Sequence, residues 1–472
     1  MIAGVLVRSR TKSWILVIVV LFLAVVGSVS FLGWRQSVPG VRVAVTPPRV
    51  LGHTTTIPLV VEAARGQVVR VEVRVLQGER SAVVIAPEGK LGRRAEIPVT
   101  IESAALGLRE GPATVEVWGR DDFWRPLRLT DHAAARFPVT IDLTPPRIDI
   151  VASTRYLAPG GVGVVVFRVG DAVRSDIRVG AIPFPSFAAS AQDRVALIAL
   201  PYDFAPGTPL TISAQDEAGN GTSRGITAEI LPRRFRHDRL EVKDAFLQLK
   251  VPELLPQHPP SQPLIDAFLV INRDLRRQAE EEKRKIAAKT ADKPLWNGPF
   301  LQPRNTKVFS NFAETRTYIY GGREIDTQVH FGYDLASTKQ APVPAANTGV
   351  VVFTGSLTIY GNTMVVDHGW GLMTLYGHLS TIAVKVGDAV EKGQEMGRSG
   401  STGLAIGDHL HYEVLVNGVS VTPLEWWDAK WIRDRFNGPL KAAGLAEIAG
   451  VEGTTGDDAR EAPTRRRSRR AR

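Results

Sequence analysis

The side chains best suited to chemistry in this chain are histidines. Nine occur in 472 residues, and five of them fall between residues 330 and 411. His409 and His411 stand one residue apart in "IGDHLHYEVLVNG", where Tyr412, Val414 and Val416 mark a strand. Residues two apart on a strand share a face, with Cα atoms about 6.8 Å apart at roughly 3.4 Å per residue. Two imidazoles placed so can both hold a metal, or one can hold it while the other handles protons. The plain alternative is a pair of exposed polar residues on a half-buried strand.

His330 opens "HFGYDLA", with Asp334 four residues on. Fully extended, their Cα atoms would lie about 13.6 Å apart, too far for both side chains to meet one ion at roughly 2 Å from each. The intervening Phe-Gly-Tyr is a poor helix former, so a bend at Gly332, where glycine tolerates unusual backbone angles, is the expected solution. His378 closes the alternating run "TLYGHLS". The chain has no cysteine, so any metal site is built from His, Asp or Glu and any nucleophile is not a thiol. The set can supply a borderline metal with His, Asp and His and leaves two histidines over. Three protein ligands and an open position belong to a catalytic zinc, which acidifies water and polarises a carbonyl. The remaining histidines can take a proton or stabilise an oxyanion. That chemistry is amide or ester hydrolysis without a serine or cysteine nucleophile.

These residues need a scaffold. From 296 to 427, short runs such as "GVVVFTG", "NTMVVDHG" and "IAVKVGDAV" alternate with glycine turns, which predicts a compact antiparallel β domain. Before it, 233–295 reads as a helical linker region, with Leu264, Ile265, Phe268, Leu269 and Leu275 near helical spacing and a charged, solvated extension. The preceding "PELLPQHPPSQP" holds five prolines, which oppose regular structure. Residues 41–145 and 147–232 alternate apolar and polar positions over strand lengths. They predict two antiparallel β-sandwich units, of which the immunoglobulin-like arrangement is one form, separated at Pro145 and Pro146. The fold class is mainly β. His53, His132 and His258 are isolated and read as structural or solvent-facing.

The N-terminus sets the compartment. Residues 14–34, "WILVIVVLFLAVVGSVSFLGW", carry no charge, about the 20 residues needed to cross a bilayer. Arg8, Arg10 and Lys12 in the 1–13 segment keep that end cytoplasmic and place the rest outside. A signal peptide cleaved near "VGSVS" is the alternative; a retained anchor fits the long apolar run better. The net charge of +10 draws heavily on the 428–472 extension, whose end, "APTRRRSRRAR", predicts a solvated, disordered tail. Export makes nucleic acid a poor partner for it, and an anionic envelope polymer or lipid surface a better one.

The stretches "HFGYDLA", "APVPAANTGVVVFTG", "YGNTMVVDHGWGLMTLYGHLS", "VKVGDAVEKGQEMGRSGSTGLAIGDHLHYEV" and "VTPLEW" come in one order over about 130 residues. In that order they resemble the peptidase M23 (lysostaphin- or LytM-like) zinc endopeptidases of bacterial cell walls. The resemblance implies one Zn2+ held by His330, Asp334 and His411, with His378 and His409 catalytic and His368 structural. It implies cleavage of peptide cross-links in peptidoglycan during wall remodelling, with the domain on the periplasmic side of the inner membrane. It also leaves a second reading open: a non-catalytic or autoinhibited envelope adaptor that recruits or activates another wall hydrolase, with envelope proteins as partners. The stretch "NFAETRTYIYGG" replaces the "FGxRR"-like turn of many exported relatives, so bond preference does not carry over.

Overall fold

The computed structural model describes residues 7–85, 89–127 and 133–451. His132 and the arginines after residue 464 lie outside them. A helix runs from Val7 to Ser37, and its Trp14–Ser37 portion is long and apolar enough to cross a membrane. Its apolar side chains are exposed along the whole portion, Trp14 and Trp34 included.

The chain divides into two compact units, one of Met1–Pro146 with Gln215–Gly221, the other of Arg147–Ala214 with Thr222–Arg472. In the first, a three-stranded sheet and a five-stranded sheet share one apolar cluster. Strand Thr54–Ala63 shows why: Ile57, Leu59, Val61 and Ala63 are buried while the residues between them are not, the period of a strand with one wet face.

The second unit carries the histidine-rich region. An eight-stranded sheet is ordered Lys307–Ser310, Tyr333–Ala336, Leu410–Val416, Leu372–Gly377, Asn362–Asp367, Gly349–Ser356 and Ala389–Val390, with Val419–Val421 paired to Leu410–Val416. Its neighbours pair antiparallel. The central strand Leu410–Val416 is buried at every position, so both of its faces must find partners. A smaller sheet orders His237–Glu241, Glu314–Tyr320 and Arg323–His330. The upstream strands of this unit share one apolar core with the large sheet, joining Val164 and Leu197 to Trp296, Tyr412 and Trp426. The Trp426 ring lies 5.6 Å from Trp296 and 5.5 Å from Phe300 between centroids.

Two expectations for the 233–295 region are corrected. A helix spans Asp244–Leu254 and contains Pro252; a proline this close to a helix end disturbs only its last turn, so the proline-rich stretch begins within regular structure. The charged extension, Arg276–Ala287, is also not simply solvated, because Ala279, Lys283 and Ala287 are buried. Charge density alone does not mark a wet face when a long side chain has a buried partner.

Glu425 ties the upstream strands to the end of the large domain. It is buried, and it accepts from Val162 N at 2.9 Å and from Arg233 Nη2 at 3.0 Å. Burial outweighs these partners and raises its carboxyl from 4.5 to about 7. A carboxyl raised by folding keeps its proton where the unfolded chain has lost it, so stability falls as pH rises from 4.5 to about 7. We expect denaturation midpoints across that range to show this fall, with a slope of at most about 1.4 kcal/mol per pH unit. Glu425→Gln should flatten it; an unchanged slope would place its origin elsewhere.

Candidate active site

Register brings the ligand candidates together. Asp334 on Tyr333–Ala336 pairs directly with His411 on Leu410–Val416, and His330 ends the strand Arg323–His330 just before the turn between them. The chain bends at Gly332 as expected, but the reason lies in space rather than in a special backbone angle. A Cβ there would come 2.6 Å from Tyr412 O and 2.7 Å from His411 Nε2. Only glycine lets the His330–Asp334 loop close onto the strand that carries His411.

His330 Nε2 lies 3.0 Å from Asp334 Oδ1 and 3.0 Å from His411 Nδ1, and His411 Nδ1 lies 2.9 Å from Asp334 Oδ1. All three residues are buried. The outer bonds decide which atoms face inward. His330 Nδ1 donates to the Asn311 carbonyl at 2.9 Å, which leaves Nε2 as the lone-pair atom. His411 Nε2 donates to Glu413 Oε1 at 2.9 Å, which leaves Nδ1. Arg316 Nη2 donates to Asp334 Oδ2 at 2.9 Å, so Oδ1 is the carboxylate oxygen turned to the histidines. Three electron-rich atoms thus converge at a spacing that only a cation, proton or metal, can reconcile. Tetrahedral zinc with bonds of about 2.0–2.1 Å would separate its ligand atoms by roughly 3.3 Å, so the donor set fits such an ion with small adjustments.

His378 and His409 face this cluster. Their rings are 4.9 Å apart, and His378 lies 5.7 Å from the ring of His411. His378 follows the strand Leu372–Gly377 with φ of 61°, a left-handed conformation that costs about 1–3 kcal/mol in a residue other than glycine. Its N–H to Tyr360 O at 2.7 Å and its Nδ1–H to Thr402 O at 2.8 Å hold it there, leaving Nε2 free. His409 Nδ1 donates to Gly407 O at 2.9 Å, and its Nε2 is 3.5 Å from Asp334 Oδ1. His409 and His411 share a face, as the strand period requires, with Glu413 as the third residue of that row. His368 lies outside the cluster: its Nδ1 donates to Thr348 O and its Nε2 meets Thr374 Oγ1, both at 2.8 Å.

The electrostatics follow burial first. Burial pushes His330 down to about 4, with Asp334 opposing. It likewise pushes His378 well down, helped by the facing His409 and His411. For Asp334, burial works against ionisation, but His330 first, and then His409 and His411 beside it, outweigh it and hold the carboxyl well below its ordinary range. His411 is raised: Asp334 and Glu413 outweigh its burial. A metal ion at that Nδ1 would have to displace a proton, because a ligand must give up its proton.

A cavity of about 270 Å³ opens onto these residues. Its walls include Phe246 and Phe268 from the helical region, and Phe309 and Ile406, which are among the most exposed large apolar side chains of the described residues. The sequence reading missed Arg316, Glu413, Lys283 and the carbonyls of Asn311 and Thr402. Glu413 was accessible to it, since it lies two residues past His411 on the same strand. Lys283 was not, standing 130 residues from Glu413.

Residues 328–423 match the model of peptidase family M23. The chain is 40% identical over 119 residues to peptidoglycan DD-endopeptidase ShyA of Vibrio cholerae, covering 25% of this chain and 27% of that protein. It is 41% identical over 97 residues to DD-carboxypeptidase/endopeptidase Mpg of Neisseria meningitidis, covering 21% of this chain and 22% of that protein. The chain thus spans about a quarter of the length of these relatives. Among solved structures, the catalytic domain of lysostaphin from Staphylococcus simulans shows 31% identity over 26% of this chain and 92% of that one, with a TM-score of 0.23. Among the described residues, His330, Asp334 and His411 form a group that could hold a metal ion. The chain carries a peptidase family M23 domain at residues 328–423.

Replacing Gly332 by alanine should separate His330 and Asp334 from His411. We expect a loss of about 1–3 kcal/mol in unfolding free energy together with weakened metal uptake. A variant as stable and as metal-competent as the parent would show that the close approach is dispensable.

Proposed function

We propose that this protein is a membrane-anchored zinc endopeptidase that cleaves peptide cross-links of bacterial peptidoglycan, its domain lying outside the cytoplasmic membrane. The observation that carries this reading is the convergence of His330, Asp334 and His411, with His378 and His409 opposite, inside a peptidase M23 domain. The names of the similar Vibrio and Neisseria proteins support the substrate class. The apolar Trp14–Ser37 helix supports the anchor.

His330 Nε2, Asp334 Oδ1 and His411 Nδ1 would hold the metal. When bound, zinc supplies a Lewis acid for the scissile carbonyl and an acidified water. The protein's own groups supply the rest. His409, whose Nε2 faces Asp334, is placed to accept a proton at that atom. His378, fixed by the Nδ1–H bond to Thr402 O, turns an unprotonated Nε2 to the cluster, and it can donate to the developing oxyanion only after taking up a proton at that atom. Arg316 holds Asp334 Oδ2 and so turns Oδ1 toward the histidines, and the cavity beside them offers apolar walls to a substrate.

The test is the full-length protein in detergent, incubated with sacculi or defined cross-linked muropeptides and followed by mass spectrometry of the products. Cleavage abolished by a chelator and restored by zinc is expected. His411→Ala should lose both metal and activity; His378→Ala should keep the metal and lose about 10²–10⁴-fold in rate. A zinc-loaded wild type that leaves every cross-link intact would sink the reading.

A second reading, an enzyme held inactive by its own helical region, has one observation in its favour. Helix Asp244–Leu254 is tied to the loop beside His378: Glu253 Oε1 accepts from Gly403 N at 2.6 Å, and Lys250 Nζ donates to Ser401 O at 2.5 Å. If that helix restrains the groove, Glu253→Ala with Lys250→Ala should raise turnover on muropeptides several-fold. Equal or lower turnover removes this reading.

A further inference from the structure

Lys283, in the helix Arg276–Ala287, has no exposed surface, and neither does its partner Glu413. Its ammonium donates to Glu413 Oε2 at 2.9 Å and contacts Glu280 Oε1 at 2.7 Å, Tyr360 Oη at 3.1 Å and Ser420 Oγ at 3.1 Å. Ser420 Oγ also donates to Glu413 Oε2, at 2.7 Å. A fully buried ion pair is weak support for stability, because desolvating two charges offsets most of their attraction. Its place in the structure is more telling. The other oxygen of the same carboxylate receives the Nε2–H of His411.

We propose that Lys283 is a positioning residue of the metal centre: acting through Glu413, it holds the His411 imidazole with Nδ1 turned toward His330 and Asp334. Glu413 has two oxygens, one on the ammonium and hydroxyl side and one on the ring side, so fixing the first fixes the direction of the second. The ring then keeps one tautomer and one orientation without needing an ion to impose them. Helix Arg276–Ala287 lies outside the 328–423 family match. The centre therefore depends on a segment that the family domain does not contain. Removing the ammonium leaves a buried carboxylate without its charge partner, free to turn off His411. Tyr360 strengthens the link, since its ring lies 5.0 Å from that of His411 while its hydroxyl meets Lys283.

The inference rests on the metal reading above, and a double-mutant cycle on the full-length chain in detergent tests it. Zinc affinity is measured by competition with a chromogenic chelator for wild type, Lys283→Met, Glu413→Gln and the double variant, with melting of each metal-free protein recorded alongside. Methionine fills the space without a charge, and glutamine keeps an oxygen for the His411 N–H. Lys283→Met should weaken zinc about 10–100-fold, and should add about twofold or less in the Glu413→Gln background. Should Lys283→Met fail to fold, Lys283→Gln, which keeps N–H donors, replaces it in the same cycle. Unchanged zinc affinity, or an equal loss in both backgrounds, overturns the inference alone. A wild type that binds no zinc overturns it together with the metal reading.

Discussion

The second unit is organised around a buried carboxylate. Asp334 is buried at the meeting of two sheets, and an ionised group there is tolerable only with partners for each of its oxygens. Arg316 takes one oxygen, and His330, His409 and His411 crowd the other. Arg316 is itself held through Ser310 and Glu314, which also bond each other. Each of these contacts requires a register: Asp334 opposite His411, and Glu314 opposite His330. A slip of one residue in either ladder would turn His411 or His330 to the wrong face and leave the carboxylate without that partner.

The same constraint explains why the ligand atoms differ. His330 turns Nε2 and His411 turns Nδ1 toward Asp334 because their opposite nitrogens already have acceptors, a main-chain carbonyl in one case and Glu413 in the other. Such acceptors are inexpensive to supply from a backbone but harder from a side chain. A carbonyl is neutral and immobile, whereas Glu413 is a second buried charge that requires its own counter-ion. That requirement brings Lys283, and with it the helix Arg276–Ala287, into contact with the centre.

How much of this could be read from the residues alone follows from range. The mainly β class and the clustering of His330, Asp334, His378, His409 and His411 were legible because both rest on short-period patterns. Alternation marks strands, and a histidine pair two apart shares a face. The helix through Leu264 and Phe268 was legible for the same reason. Its charged continuation was misread, because the residue that buries Lys283 stands on a strand far along the chain, and no local pattern reports that. Gly332 was legible as a bend but not as a point of close approach. The distance from its Cα to the His411 ring is a property of strand pairing, not of three neighbouring residues.

Glu413 falls between these cases and shows where sequence reading stops. The two-residue period places it on the face of His409 and His411, so a carboxylate aimed at the same space was deducible. Its role was not, since a carboxylate on that face is equally suited to ligate a metal. What separates the two roles is the order of atoms along the row. His411 uses Nδ1 toward Asp334 and spends Nε2 on Glu413, so the imidazole itself stands between Glu413 and the ligand cluster. A carboxylate behind a ligand tunes and orients it, and one beside it would compete for the ion. That ordering depends on the rotation of one ring, which is held between Asp334 at Nδ1 and Glu413 at Nε2.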